Sequence, residues 1–311
     1  MKVVVTGGAG FIGANLCRML AQQDFVDHVV ALDDLSTGSR QNLAGCPSVE
    51  LREGSILRDD DLDAVIEGAQ AVVHLAARPS VPRSLADPMA THQVNATGTM
   101  MVLEAARRHG MPQVVVASSS SVYGANPALP KREDMATLPV SPYAASKLAT
   151  EAYALSYGRS FGLPALAFRF FNVFGPLQPA GHAYAAVVPA FVSCALGGRP
   201  LPIHGDGTQT RDFTFVDTVV AVLADAIHRR VAYPEPVNLA YGSRVSLLEL
   251  IDTLEDVVGH RLSRHHAAPR AGDVPHSQAD QTRLGRLFPD IRPTPLVDGL
   301  RATVAWFREA R

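Results

Sequence analysis

Short apolar runs rich in β-branched residues alternate with longer helical patterns through the first half of the chain. The strand-like runs are KVVVTG (2–7), HVVALD (28–33), VELRE (49–53), AVVHLA (71–76) and QVVVASS (113–119). Between them lie segments of helical periodicity such as FIGANLCRMLAQQ and ATGTMMVLEAARRHG. Several of the strands are apolar nearly throughout, as in sheets that helices cover on both faces. The pattern predicts an α/β fold built on a doubly wound parallel sheet.

The composition and periodicity of the sequence change after Asn172. The run LPALAFRFF (163–171) predicts one more buried strand, but the following GPLQPAGHAYAAVVP is rich in Pro, Gly and Ala. We therefore predict two lobes, residues 1–172 and 173–311. The segment at about 212–240 has the pattern of a strand, a helix and another strand, and we expect it to return to the sheet of the first lobe.

Composition and charge exclude several classes of protein. The 311 residues are 47% apolar and 19% charged, with a net charge of −2, so no basic excess points to nucleic acid or an anionic membrane. The longest apolar stretch, 183–196, is interrupted by polar residues and Pro and is too short to span a bilayer. The three cysteines and eleven histidines show no metal-ligand spacing. We expect a cytoplasmic protein without a metal site.

A glycine-rich turn follows the first predicted strand. In GGAGFIG, Gly8, Gly10 and Gly13 satisfy the GxGxxG pattern at the start of a predicted helix. Such glycines let the backbone approach a dinucleotide pyrophosphate, which the helix N-terminus stabilises. Asp33 ends the second strand about twenty residues later, where a carboxylate binds the adenosine ribose. Asp33 and Asp34 would repel a 2′-phosphate, so the pattern favours NAD over NADP. A glycine turn without a ligand is the alternative.

The segment SPYAASK places Tyr143 and Lys147 four residues apart, on one face of a helix. Taken alone, the spacing fits a surface helix pair. Beside a nicotinamide nucleotide it fits catalysis, because Lys147 and the oxidised ring would lower the pKa of the phenol from about 10. Tyr143 is then a general base. The run VASSSSVYG offers hydroxyls at the end of the fifth strand, or simply a polar turn.

The combination of motifs resembles the extended short-chain dehydrogenase/reductase family, and within it the NAD-dependent NDP-sugar epimerases and dehydratases, most closely the UDP-hexose 4-epimerases. The motifs are VTGGAGFIG, LDDLSTG, VVHLAA, SVPRSLADP with VNATGT, SSSSVYG, SPYAASK, RFFNVFGP, GDGTQTRDFTFVD and RAGDVPHSQAD. The resemblance implies a Rossmann-like NAD-binding lobe and a smaller α/β lobe for the nucleotide sugar. It makes Tyr143, Lys147 and Ser119 the catalytic residues.

The same resemblance implies the binding residues. The cofactor would contact Gly7, Gly10, Phe11, Ile12, Gly13, Asp33, Asp34, Ser36, Thr37, Gly38, Ser55, Ile56, Leu75, Ala76, Ala77, Asn95, Ser118, Tyr143, Lys147 and Phe170. The substrate would contact Arg83, Ser119, Ser120, Ser121, Tyr143, Asn172, Val187, Pro202, His204, Arg211, Arg270, Asp273 and Ser277. One departure is Ser55, where many relatives carry an Asp that meets the adenine.

The resemblance also favours one type of reaction over others. Ser120 and Ser121 stand where look-alike dehydratases carry an Asp-Glu pair and decarboxylases a Glu, so elimination has no second acid/base residue. Oxidation and reduction at C4 need only one base and a hydride acceptor, which implies a 4-epimerase that retains NAD.

The small side chain of Ser277 bears on which sugar the protein accepts. By the resemblance, Ser277 stands where glucose-specific bacterial epimerases carry a tyrosine, which leaves room for an N-acetyl group beside C2. We therefore predict a 4-epimerase of UDP-Glc/Gal and/or UDP-GlcNAc/GalNAc that tolerates or prefers the acetylated sugars. Arg83 would face the sugar or its phosphates, or else solvent. A 4-epimerase of UDP-glucuronate or a deoxysugar and a non-catalytic NAD redox sensor remain alternatives. Helices at 89–109 and 143–161 resemble the pair through which the family forms homodimers.

Overall fold

The computed structural model describes residues 1–180, 185–268 and 275–309. Its strands are β1 (Lys2–Thr6), β2 (His28–Asp33), β3 (Val49–Glu53), β4 (Ala71–His74), β5 (Gln113–Ser119), β6 (Ala165–Phe170), β7 (Asn172–Phe174), β8 (Leu201–His204), β9 (Thr210–Arg211), β10 (Phe213–Phe215), β11 (Val237–Leu239), β12 (Val245–Ser246) and β13 (Arg264–Ala267). Its α-helices are α1 (Phe11–Leu20), α2 (Asp59–Ile66), α3 (Val81–Ala86), α4 (Pro88–His92), α5 (Gly98–Arg108), α6 (Pro142–Phe161), α7 (Val187–Leu196), α8 (Val216–His228), α9 (Leu247–Val258), α10 (Thr282–Leu287) and α11 (Leu296–Glu309). A π-helical turn, Gln93–Thr97, joins α4 to α5.

A seven-stranded parallel sheet organises the chain, with strand order β11-β6-β5-β4-β1-β2-β3. All six strands predicted through residue 171 are present in it, which confirms the doubly wound α/β fold. Strand β11, in the segment after residue 212, pairs in parallel with β6 at the edge of this sheet. Strand β1 pairs with β2 on one side and β4 on the other, so the strand order reverses there. Ligands of such sheets bind in the crevice at this reversal, outside the carboxyl ends of the strands.

Helices cover both faces of the sheet, as the apolar strands predict. Alternate residues of β1 enter different cores: Val3 and Val5 belong to one cluster and Val4 to the other. The first cluster includes apolar residues of α1 and α8, and the second includes those of α2, α5 and α6. No helix among the described residues is long and apolar enough to cross a membrane.

Most of the chain after residue 172, predicted as a second lobe and called so below, forms short strand pairs rather than one sheet. Strand β8 pairs with β13, β9 with β12, and β7 with β10. Their apolar residues, such as Ile203, join Leu250 of α9 and Leu300 of α11 in the first core cluster, which is continuous with the sheet. The predicted lobe boundary falls at Asn172, the first residue of β7.

A buried histidine links three elements beneath the crevice. His74 ends β4, with Nδ1 2.7 Å from the Thr6 hydroxyl of β1 and Nε2 3.0 Å from the Thr99 hydroxyl of α5. Burial, and then the charge of Lys147, lower the pKa of His74 to about 3. Its neutral ring therefore fixes the end of β4 to its neighbours.

The buried histidine makes stability sensitive to acid. The unfolded chain binds a proton at His74 below about pH 6.5, whereas the folded chain does so only near pH 3, so stability falls as the pH falls through that window. Between pH 7.5 and 5, we expect His74 to account for a loss of about 2 kcal/mol in the free energy of unfolding. Urea titrations of wild type and His74→Gln measure it. The exposed His260, changed to Gln, is the control; an equal pH dependence of all three proteins would contradict the assignment.

Candidate active site

A cleft of about 1510 Å³ runs along the carboxyl edge of the sheet and into the second lobe. Its walls come from the glycine turn after β1, the ends of β2, β4 and β5, the start of α6, and α7, β8 and β9. The cleft is large for a single small ligand, since such pockets are commonly about 300–1,000 Å³. Its volume suits two ligands placed end to end.

The backbone of the glycine turn packs so closely against its neighbours that it has no room for side chains at Gly7 and Gly13. Gly7 has φ +70°, and a Cβ there would lie 2.7 Å from the backbone nitrogen of Ala76. A Cβ on Gly13 would lie 2.1 Å from the Gly7 carbonyl oxygen, so the turn closes directly onto the start of α1. This close-packed turn at a helix N-terminus fits the pyrophosphate of a dinucleotide.

Asp33 lies beside the turn at the end of β2. Its two carboxylate oxygens accept hydrogen bonds from the backbone nitrogens of Ala9 and Leu35, each at 2.9 Å. Burial raises the pKa of Asp33, while these hydrogen bonds oppose the shift. A carboxylate held in this way can accept further bonds from ribose hydroxyls and repels an added phosphate. The residues present thus fit NAD.

Helix α6 carries Tyr143 and Lys147 into the cleft. The Ser141 hydroxyl caps the helix by accepting from the Ala144 backbone nitrogen at 3.1 Å. Lys147 is buried, its ammonium donates to the Ala117 carbonyl at 2.8 Å, and burial lowers its pKa to about 8. Tyr143 hydrogen-bonds the side chain of Ser119, which ends β5. The helix and the strand end thus bring the three predicted catalytic residues together.

Two opposing effects act on the pKa of Tyr143 in the protein without its cofactor. Burial raises it, and the hydrogen bond to Ser119 opposes that shift only in part. In the protein alone, Tyr143 is therefore a protonated phenol at neutral pH.

Most of the predicted site residues line this one cleft. They are Gly7, Gly10, Phe11, Ile12, Gly13, Asp33, Asp34, Ser36, Thr37, Ile56, Leu75, Ala76, Ala77, Arg83, Ser118, Ser119, Tyr143, Lys147, Phe170, Asn172, Val187, Pro202, His204 and Arg211. Arg270 and Asp273 lie outside the described residues.

Ser120, Ser121 and Ser277 line an adjoining cavity of about 250 Å³. Asn172 and Arg211 line both cavities, so the smaller one opens from the second-lobe end of the cleft.

Three predicted cofactor residues are not part of the cleft wall. Gly38 packs against Asp33, where a Cβ would lie 2.8 Å from the carboxylate. The Ser55 hydroxyl accepts from the Leu57 backbone nitrogen at 3.2 Å and so caps its own turn. Asn95 is buried, and its side chain bonds protein groups on both sides. These three residues shape their surroundings rather than the cleft surface.

A buried ion pair below the site was missed by the sequence analysis. Glu151, one turn after Lys147 on α6, accepts two hydrogen bonds from Arg169 of β6, at 2.6 and 2.9 Å. Glu151 also accepts from the Ser118 hydroxyl at 2.9 Å. The Arg169 guanidinium lies 4.7 Å above the Tyr123 ring. The i, i+4 spacing of Lys147 and Glu151 was the available signal, but it does not distinguish a buried carboxylate from an exposed one.

No group of three or more His, Cys, Asp or Glu side chains among the described residues could hold a metal ion. The candidate chemistry of the cleft therefore rests on Tyr143, Ser119 and Lys147 and on the dinucleotide for which the glycine turn is shaped.

Comparison with known proteins shows the family of the chain. A UDP-glucose 4-epimerase of Mycolicibacterium smegmatis is 39% identical over 99% of both chains. The solved UDP-N-acetylglucosamine 4-epimerase from Methanobrevibacter ruminantium, in complex with UDP-N-acetylmuramic acid, is 35% identical with TM-score 0.94 over 100% of this chain and 99% of its own. A UDP-glucuronic acid 4-epimerase from Bacillus cereus, in complex with UDP-glucuronic acid and NAD, is 31% identical with TM-score 0.90 over 100% of both. Residues 3–240 match the NAD dependent epimerase/dehydratase family, and the chain belongs to it.

Proposed function

We propose that the protein is a UDP-hexose 4-epimerase that interconverts C4 epimers through a 4-keto sugar and retains its NAD. The observation that carries the proposal is the position of Tyr143, Ser119 and Lys147. They lie in one cleft, between the glycine turn at one end and the second-lobe residues Pro202, His204 and Arg211 at the other. A dinucleotide and a nucleotide sugar would meet at this trio.

The roles of the three residues follow from their contacts. When bound, NAD supplies a reversible hydride acceptor for C4 and a positively charged nicotinamide ring. With the nicotinamide bound, the ionised oxygen of Tyr143 would take the proton of the C4 hydroxyl and return it to the oxygen of the opposite epimer. Ser119, bonded to Tyr143, holds the same hydroxyl. The Lys147 ammonium, anchored on Ala117, contributes fixed positive charge beside a base whose pKa burial raises.

The lining of the cleft supports epimerisation over elimination. Among the described residues that line the two cavities, the only carboxylates are Asp33 and Asp34, both at the glycine turn. Elimination of water needs an acid and a base beside the sugar ring. Ser120 and Ser121 offer hydroxyls in their place.

The adjoining cavity supports an acetamido sugar as substrate. Ser277 lines it, and its backbone nitrogen donates to the Thr210 carbonyl at 3.1 Å, which fixes the residue at the cavity wall. About 250 Å³ beside a small side chain leaves space for an N-acetyl group on the hexose. We infer that UDP-GlcNAc and UDP-GalNAc are accepted together with, or in preference to, UDP-Glc and UDP-Gal.

Replacing Ser277 tests this assignment. Ser277→Tyr should fill the cavity and lower kcat/KM for UDP-GlcNAc at least about a hundredfold, since steric exclusion affects the substrate that needs the space, while UDP-Glc is spared within about threefold. Ser277→Ala, which keeps the space, should leave the ratio of the two substrates unchanged.

Epimers are quantified by anion-exchange chromatography or proton NMR, with UDP-glucuronate as a third substrate. Equal losses on UDP-Glc and UDP-GlcNAc would contradict the specificity assignment. Conversion of UDP-glucuronate alone would replace it with the glucuronate alternative.

The buried ion pair should support catalysis through the position of α6. Glu151→Gln would leave the Arg169 guanidinium buried without a counter-charge, which costs about 3–5 kcal/mol in the free energy of unfolding. We also expect turnover to fall about tenfold or more, because Ser118 and the Lys147 turn lose a common anchor. The double variant Glu151→Gln, Arg169→Met should regain stability but not turnover. An unchanged free energy of unfolding together with a turnover number within twofold of wild type in Glu151→Gln would contradict this role.

We further infer a homodimer and a cytoplasmic location. Helices α5 and α6 are neighbours on the second core cluster, and their outer faces leave Met100 and Tyr153 exposed. Phe161, at the end of α6, is about half exposed. Apolar side chains on two adjacent helices suit a four-helix contact with a second copy. The free cysteines are those of a protein in a reducing compartment.

Charge on the helix pair should separate the subunits. Met100→Glu with Tyr153→Glu would place two carboxylates in the contact, and we expect a monomer by light scattering at micromolar concentration. Met111→Glu, at an exposed apolar residue in the turn before β5, should remain a dimer. A wild-type monomer, or a double variant that stays dimeric, would contradict the proposed contact.

A further inference from the structure

Arg78 occupies the point where the strand order of the sheet reverses. It follows β4 by four residues, after Leu75, Ala76 and Ala77, all of which line the cleft. The backbone of Ala76 touches the glycine turn, since a Cβ on Gly7 would lie 2.7 Å from the Ala76 nitrogen. Two residues of chain reach about 7 Å, so Arg78 begins within a side-chain length of that turn.

The backbone of Arg78 is held from both sides by one buried side chain. Asn95 accepts from the Arg78 backbone nitrogen at 2.7 Å and donates to its carbonyl oxygen at 3.2 Å. The same amide donates to the Ser146 hydroxyl of α6 at 2.9 Å. The starting point of the Arg78 side chain is thus fixed relative to the catalytic helix, which reduces the entropy lost when the side chain binds a ligand.

The guanidinium of Arg78 has an unsatisfied donor. Its Nε atom is buried and has no hydrogen-bond partner in the described structure. One terminal nitrogen lies 3.5 Å from the Asp87 carboxylate, an ion pair at the long end of the range. A buried donor on a charged group is costly to leave unpaired. An anionic oxygen would satisfy it, and the planar fork of arginine matches phosphate oxygens in pairs.

The other cations of the cleft have different places. Among the described lining residues these are Lys147, Arg83 and Arg211. The Lys147 ammonium is bonded to Ala117, Arg83 lies in α3, and Arg211 lies in β9 of the second lobe. Helix α1 brings no cation in its first turn, since it starts with FIGA. Arg78 is the cation on the segment that touches the glycine turn.

We propose that Arg78 binds the pyrophosphate of NAD and completes a phosphate site of which the glycine turn and the N-terminus of α1 form the other side. The inference concerns the cofactor, so it holds whichever hexose is the substrate. Arg78 would then strengthen the binding of NAD, because its buried Nε atom would donate a hydrogen bond to a phosphate oxygen.

Ligand binding to cofactor-free protein tests the proposal. Calorimetry would compare NAD, ADP-ribose, adenosine and UDP on wild type and Arg78→Leu. Loss of a charge-assisted bond should weaken NAD and ADP-ribose about tenfold to a hundredfold. Adenosine, which has no phosphate, and UDP, which occupies the second lobe, should change less than about twofold. Arg78→Lys should recover part of the affinity for NAD, since it restores the charge without the fork.

Two controls separate the contact from a structural effect. Asp87→Asn removes the ion pair but not the guanidinium, and should leave NAD affinity equal or tighter. Arg108→Leu, at an exposed ion pair on α5, should have no effect. Unchanged NAD affinity in Arg78→Leu would overturn the proposal. So would weaker UDP binding with NAD binding intact, which would move Arg78 to the substrate, or an equal loss for adenosine, which would indicate a distorted site.

Discussion

Helix α6 carries two charged side chains into the protein interior one turn apart, and the site depends on how both are satisfied. The Lys147 ammonium donates to the Ala117 carbonyl of β5, and the Glu151 carboxylate pairs with Arg169 of β6. Neither charge could be buried without its partner, because the desolvation cost of an ion amounts to several kcal/mol. These two contacts fix the position of α6 on β5 and β6. In that position Tyr143 lies beside Ser119.

The second lobe depends on a similar constraint. Asp212, fully buried between β9 and β10, accepts from the backbone nitrogens of Gly242 and Ala279 at 3.0 and 2.9 Å and from the Ser243 hydroxyl at 2.9 Å. Burial raises its pKa to about 6, and these bonds oppose the shift. The carboxylate ties together loops distant in sequence, one of which carries Ser277. These bonds fix the position of the loops that would line the sugar site.

The sequence predicted what is local and periodic. Apolar runs of strand length located the sheet, and the glycine turn with Asp33 located the dinucleotide end of the cleft, because both are determined by neighbouring residues. The buried pair of Glu151 and Arg169 could not be predicted, since their contact depends on how α6 packs on β6. The same holds for Asn95, which the structure places behind the cleft with its amide on Arg78 and Ser146.

The least predictable property was the pKa of the base. From the sequence we expected Lys147 together with an oxidised nicotinamide to lower the phenol pKa, but the burial of Tyr143, which opposes that shift, depends on tertiary packing. In the folded protein burial dominates and raises the pKa of Tyr143. Activation of the phenol must then come with the ligands that fill the cleft.

In the proposed reaction, a hydride leaves C4 of the hexose and returns to C4 on its other face within one cleft. The most direct measurement follows a UDP-hexose deuterated at C4, incubated with the protein in ordinary water without added NAD, by proton NMR and mass spectrometry. We expect epimers that keep the deuterium at C4, and no turnover in Tyr143→Phe. Washing-out of deuterium into solvent, or turnover that persists without the phenol, would contradict the proposed reaction.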